Sequence, residues 1–277
     1  MKHLFILPLV AALMNGPMNA QERITIKGSD TMVILAQRWA EKFMAENPDV
    51  VLQVTGGGSG TGIAALINGT TEICNSSRKI KDSERAKLTE KYGSRGIEIK
   101  CALDGIAVYV HISNPVKELT LDQVKKMFTG KITNWKEVGG PDAKIILYSR
   151  ENNSGTYVYF KEEVLSDEDF ASSALSLPGT GAVVNAVAKD KFGIGFGGAA
   201  YAEGVRDVAV KKDTKSPALT PDLKSIKSGD YPISRFLYMY VIKKPAGAIK
   251  KYIDWTLSKE GQKIVAEVGY FPIRSIE

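Results

Sequence analysis

Three times near the start of the chain one pattern repeats: a short strand-like run, a loop of small and hydroxyl residues, then apolar positions at helical spacing. Residues 23–27 alternate as a strand does and run into Gly28-Ser29-Asp30-Thr31. Ile34, Leu35, Trp39 and Phe43 then fall near one helical face until Asn47-Pro48 ends it. Residues 50–54 form a second strand pattern, followed by Gly56-Gly57-Gly58-Ser59-Gly60-Thr61-Gly62 and a helix through Ile63, Leu66 and Ile67. A third strand over 72–75 passes through Ser76-Ser77-Arg78 into a helix over 82–91. Strand–loop–helix units in succession predict an α/β protein with mainly parallel sheets.

The apolar stretch 97–112 is interrupted by Asp104-Gly105, which fits a long strand running from one lobe into another. Beyond it come a helix over 121–129, a strand over 144–148, the loop from Ser149 to Thr156, a helix, and a glycine-rich strand over 192–198. The run 233–242 after Tyr231-Pro232 has the character of a return crossing, and 246–268 reads as a terminal helical region. The expected organisation is two α/β lobes joined by two crossings, with a cleft between them. Residues 21–103 with 231–277 make one lobe, and 104–230 the other.

Composition narrows the class. Of 277 residues, 44% are hydrophobic and 25% charged, which excludes disorder, collagen-like sequence and a multi-span membrane protein. The formal charge of +6 is compatible with an anionic partner. The lysines come as scattered pairs (Lys125-Lys126, Lys211-Lys212, Lys243-Lys244, Lys250-Lys251), not as a basic stripe, so nucleic acid is not the expected partner. Residues 1–20 carry Lys2, an apolar run from Leu4 to Met14 and Ala20 before Gln21. That is the layout of a cleaved secretory signal, with cleavage after Ala20 and a periplasmic destination; the run is too short for a stable membrane span.

In an oxidising compartment Cys74 and Cys101 are either a disulfide or two buried free thiols, and the sequence leaves both open. Removing the leader leaves His111 as the only histidine. A Cys/His zinc cluster or a Ser-His-Asp triad is therefore hard to assemble, and neither an enzyme, a metal nor a cofactor is expected.

Three loops share one chemistry: Gly28-Ser29-Asp30-Thr31, Gly58-Ser59-Gly60-Thr61-Gly62 and Ser154-Gly155-Thr156. Each sits where a strand hands over to a helix, and a helix start offers amide donors and a partial positive charge to an oxyanion. Glycine permits close backbone approach, while Ser and Thr add neutral donors. Taken singly, each loop also fits an N-cap or a tight turn. The run 56–62 lacks the Gly-Lys-Ser/Thr ending of a nucleotide phosphate loop. Arg150 precedes Ser154 by four residues, close enough for a guanidinium to fork onto the same anion; a surface pair with Glu151 is the plain alternative.

In this order the loops resemble the periplasmic phosphate-binding proteins of the ABC-type phosphate uptake system. Asn75-Ser76-Ser77-Arg78 is similar to the family's third binding loop, and Arg150-Glu151-Asn152-Asn153-Ser154-Gly155-Thr156 to its Arg-x-x-x-Ser-Gly-Thr pattern. Phe128-Thr129-Gly130-Lys131-Ile132-Thr133-Asn134-Trp135 with Gly139-Gly140-Pro141-Asp142, and Glu260-Gly261-Gln262-Lys263 with Gly269-Tyr270-Phe271-Pro272, are further landmarks. The resemblance implies a two-lobed clamshell that closes on inorganic phosphate and delivers it to an inner-membrane ABC permease; a monomer is expected. It implies a binding set of Ser29, Asp30, Thr31, Ser59, Gly60, Ser77, Arg150, Ser154, Gly155 and Thr156. The family's third-loop aspartate, acceptor of the phosphate proton, is replaced here by Ser76-Ser77-Arg78. Asp104 at the lobe crossing is the expected substitute; otherwise it is a turn residue interrupting a strand. Receptors for sulfate, molybdate or tungstate, a secreted phosphatase and an adhesion protein are the alternative readings.

Overall fold

The computed structural model describes residues 21–276, so the leader reading of 1–20 lies outside the described residues. In chain order the elements are β1 (Glu22–Gly28), α1 (Val33–Glu46), β2 (Val50–Thr55), α2 (Ser59–Asn68), β3 (Ile73–Ser76) and α3 (Asp82–Tyr92). Then come β4 (Ile97–His111), β5 (Glu118–Thr120), α4 (Leu121–Phe128), β6 (Ile146–Arg150), α5 (Gly155–Glu163), β7 (Leu175–Leu177) and α6 (Gly179–Lys189). β8 (Gly193–Gly198), β9 (Val205–Lys211), α7 (Leu223–Ser228), β10 (Ser234–Val241), α8 (Gly247–Thr256) and α9 (Lys259–Val268) complete the chain. The strand–loop–helix units expected from the hydrophobic pattern all form. Within α1, Leu35, Trp39 and Phe43 are buried at helical spacing, but Ile34, expected on the same face, is 42% exposed. The strands β5, β7 and β9 are additional to those expected; β5 and β7 are three residues each, while Val208 and Val210 of β9 alternate into the core.

The strands run in the order β2-β1-β3-β10-β4-β8-β6-β7, with β9 beside the second half of β4 and β5 beside β9. β1 pairs in parallel with β2 and β3, and β6 in parallel with β7 and β8, as strand–helix–strand connections allow. The centre differs from the expected mainly parallel sheets. β10 is antiparallel to both β3 and β4, and β4 is antiparallel to β8 and β9, so the sheet is mixed. β4 and β10 are neighbours over eight register pairs from Ser234↔Gly105 to Val241↔Ile97.

β4 divides its side chains between two cores. Cys101 and Ala102 join Ile24, Ile26, Leu35, Trp39, Phe43, Leu237, Met239 and Tyr252. Ile106, Val108 and Val110 join Phe128, Phe160, Ile194, Phe196 and Ile233. Asp104-Gly105 lies between these two sets. Phe160 and Phe196 stack with centroids 3.9 Å apart. Burying each such ring contributes about 1.5–3 kcal/mol to the second core.

The cysteine question is settled by the sheet: Cys74 and Cys101 are free and buried, and the bridge does not form. Cys74 is on β3 and packs with Ile63, Leu66 and Tyr240; Cys101 is on β4 and packs in the core of Trp39 and Phe43. β10 lies between their strands. Two strand spacings amount to about 10 Å, beyond the roughly 7 Å Cα limit for a disulfide. Burial pushes both thiols well above their ordinary pKa, so neither is a reactive thiolate.

Candidate oxyanion-binding site

The hydroxyl-bearing loops converge because each follows the carboxyl end of a strand, where open α/β sheets gather their ligands. After β1, a 3₁₀ turn over Asp30–Met32 carries Asp30 and Thr31, with Ser29 just before it. After β2, Gly58 takes a φ of +92°, a conformation that suits glycine, and starts α2 at Ser59. β3 leads to Ser76 and Ser77, and β6 ends on Arg150. Ser154 then caps α5 by accepting from the amides of Thr156 (3.2 Å) and Tyr157 (3.3 Å).

Within the first group, Ser29 Oγ donates to Ser77 Oγ at 2.9 Å, and Ser77 Oγ lies 3.3 Å from Ser59 Oγ. The Ser77 amide donates to Ser59 Oγ at 3.0 Å. These serines are buried, as are Thr31, Arg150, Ser154 and Thr156. The Arg150–Ser154–Thr156 segment meets them face to face. Thr31 Oγ1 and Thr156 Oγ1 are 2.9 Å apart, the Gly60 amide donates to the Asn153 carbonyl at 2.9 Å, and Asn153 Nδ2 donates to Gly57 O at 3.0 Å. Contact at Gly155 is closest: a Cβ there would stand 2.3 Å from Ser59 Oγ and 2.6 Å from Ser77 Oγ. Only a glycine lets the start of α5 sit against those hydroxyls.

Arg150 is not the surface residue of its plain alternative. Its side chain is 1% exposed, Nη2 donates to Asp30 Oδ2 at 2.8 Å, and Nη1 donates to Thr180 Oγ1 at 2.9 Å. Burial pulls its pKa down and Asp30 opposes that shift, so the guanidinium stays a cation. Its Nε is buried without a hydrogen-bond partner.

Asp104 is fully buried at the crossing point, held through Oδ2 by Arg235, while Oδ1 has no partner. Burial pushes its carboxyl pKa up, against the charge and hydrogen bonds of Arg235. An ion-paired buried aspartate is not a simple turn residue, and nothing in its position interrupts β4.

All the candidate residues therefore fall at one seam, with Asp30 and Gly60 half-buried at its edge. Arg78, in the third loop, turns away and forks onto Glu84 at 2.7 and 2.8 Å. Sequence reasoning missed Asn153, Thr180, Tyr201 and Arg235. Tyr201 donates to the Asp30 carbonyl at 2.7 Å. Arg235 left a signal, a single cation inside the apolar run 233–242. His111 closes β4 with its Nδ1 at 2.8 Å from Ser113 Oγ, away from these loops. Among the described residues no cluster of His, Cys, Asp and Glu could hold a metal ion, and no helix is long and apolar enough to cross a membrane.

Residues 15–260 match the model of the PBP superfamily domain. The phosphate-binding protein PstS of Pseudomonas aeruginosa is 36% identical over 263 residues, spanning 89% of this chain and 81% of that protein. PstS of Bacillus subtilis is 33% identical over 269 residues, spanning 95% and 84%. Among solved structures, a substrate-binding protein from Clostridium perfringens with bound phosphate superposes with a TM-score of 0.83 at 33% identity, covering 91% of this chain and all of that one (100%). An ABC-type phosphate transport receptor from Vibrio cholerae gives 0.73 at 29% identity, covering 90% and 99%. These relatives are two-lobed binding proteins and not enzymes. The chain belongs to the PBP superfamily and, within it, to the PstS family of phosphate-binding proteins.

Proposed function

We propose that this protein binds inorganic phosphate between its lobes in the periplasm and delivers it to an inner-membrane ABC permease. The lobes are 21–103 with 231–277, and 104–230, and the chain acts as an exported monomer once residues 1–20 are removed. The observation that carries the reading is the pairing of a buried guanidinium, Arg150, with hydroxyls and helix starts from both sides of one seam. Ser29, Thr31, Ser59, Ser77, Ser154 and Thr156 supply neutral donors, the starts of α2 and α5 supply amides, and Arg150 supplies the charge.

Closure follows from the same arrangement. Only the closed state places both sets of donors on one ion, so the ligand favours it by the difference in contacts. Asp104 gives the reading its specificity, because an ionised carboxylate can only accept. Phosphate carries a proton for it at neutral pH; sulfate does not, and would meet a lone pair with a lone pair. Calorimetric titration of the mature protein with phosphate, arsenate, sulfate and molybdate tests the proposal. Phosphate and arsenate should bind with similar strength and the unprotonated anions far more weakly. Equal binding of sulfate or molybdate would overturn it.

A further inference from the structure

Asp104 and Arg235 face one another as register partners on β4 and β10, the two strands that cross between the lobes. Arg235 directs two donors onto a single oxygen: Nε at 3.0 Å and Nη2 at 2.8 Å, both to Asp104 Oδ2. A guanidinium fork more commonly gives one donor to each carboxylate oxygen. Here Oδ1 is left buried and without a partner. It lies against Gly198, where a Cβ would stand 3.0 Å from Oδ1 and 3.3 Å from the Thr31 methyl. Arg235 Nη2 also donates to Thr156 Oγ1 at 2.9 Å, and Thr156 Oγ1 is the atom 2.9 Å from Thr31 Oγ1. The pair is thus joined directly to hydroxyls of the seam.

We propose that Arg235 is a positioning residue for anion selection: by occupying Oδ2 alone it presents Oδ1 as the one acceptor offered to the bound anion, so that a tetrahedral anion carrying a proton is preferred to one without. The proposal rests on the phosphate-site reading above. Groups from every neighbouring element bear on Asp104. Tyr109 of β4, Tyr159 of α5, Tyr201 after β8, Tyr231 before β10 and Tyr270 after α9 all sense its charge, and burial pushes each of their hydroxyls up, so they stay neutral. Arg150 of β6 senses Arg235. Arg235 supplies the opposing charge that works against burial and lowers the Asp104 pKa.

Phosphate and sulfate affinities measured by calorimetry on the whole protein, from about pH 5 to about pH 9, test the idea with Arg235→Gln and Arg235→Lys. In Arg235→Gln the acid-side loss of phosphate affinity should move up by about one pH unit or more, because Asp104 loses the cation that keeps it ionised. The phosphate-to-sulfate preference should fall about tenfold or more. Arg235→Lys keeps the charge but not the fork. Its acid limb should stay near that of the wild type while part of the preference is lost.

A residue that merely supports the fold would weaken both anions alike and leave the pH profile in place; that result in a folded Arg235→Gln overturns the proposal. Should Arg235→Gln fail to fold, Arg235→Lys decides, and an unchanged phosphate-to-sulfate ratio there overturns it as well. A wild-type protein that binds no phosphate would instead remove the site reading beneath the proposal.

Discussion

Asp30 and Arg150, 120 residues apart in sequence, form an ion pair at 2.8 Å in which the arginine side chain is 1% exposed and the aspartate 20%. The pair joins the turn after β1 to the end of β6, so it bridges the two sides of the seam. It also orients the guanidinium, because Thr180 holds the other terminal nitrogen. A buried pair of this kind adds little net stability, since desolvation offsets attraction, but losing one partner is costly.

Arg150→Ala should therefore cost about 2–5 kcal/mol of phosphate affinity, with Arg150→Lys recovering part of it. Asp30→Asn should cost less, since the guanidinium keeps Thr180 and the anion. Calorimetry on the three variants gives the ranking. Binding by Arg150→Ala within threefold of the wild type would contradict Arg150 as a ligand.

Gly155→Ala tests closure without touching a charge. The added methyl would meet Ser59 and Ser77 hydroxyls at 2.3 and 2.6 Å, atoms contributed by the opposite side of the seam. Each lobe should fold and melt as in the wild type, while phosphate binding weakens by about 100-fold or more and the scattering radius no longer contracts with ligand. Gly60→Ala, whose methyl would approach the Asn153 carbonyl at 3.1 Å, should be milder. Unchanged contraction in Gly155→Ala would contradict the closed seam.

Much of this was legible in advance because handover loops have a chemistry of their own. Ser59 and Ser154 could be placed at helix starts from their glycine neighbours and the strand pattern before them, and both are there. What was not legible depended on contacts between distant segments. Nothing local marks Asn153 as the partner of Gly57 and Gly60, and the antiparallel centre is fixed by β10, which returns more than 130 residues after β4 starts. The cysteines were ambiguous because only the sheet order separates Cys74 from Cys101.

Asp104→Asn should weaken phosphate binding and raise the relative affinity for sulfate, because an amide NH₂ can donate where the carboxylate could only accept. Paired titrations of both anions give the ratio. An unchanged ratio would remove Asp104 from the site and move the search for a proton acceptor to the loop around Ser77.

Asp207 offers a test of stability remote from binding. Burial pushes its carboxyl up to about 6, with Arg206 opposing, and its Oδ1 is buried without a partner. A carboxyl whose folded pKa is raised holds its proton better in the folded state, so stability falls as pH rises from about 4 to about 6, and the penalty is complete above that. Asp207→Asn should raise the melting temperature at neutral pH, by an amount on the order of 1–3 kcal/mol in stability, with less gain near pH 5. Thermal melts at both pH values decide; a variant that is destabilised at neutral pH would contradict the unpaired buried charge.

The most direct test of the central claim, phosphate held between the lobes, is a crystal structure of the mature protein grown with phosphate. The account requires one tetrahedral ion at the seam. It should touch the Arg150 guanidinium and the first-turn amides of α5 on one side, Ser59 and Thr31 on the other, and Asp104 Oδ1 within hydrogen-bond reach. Phosphate ordered elsewhere on the protein, with the Asp30, Arg150 and Gly155 contacts standing as they do without it, would contradict the account.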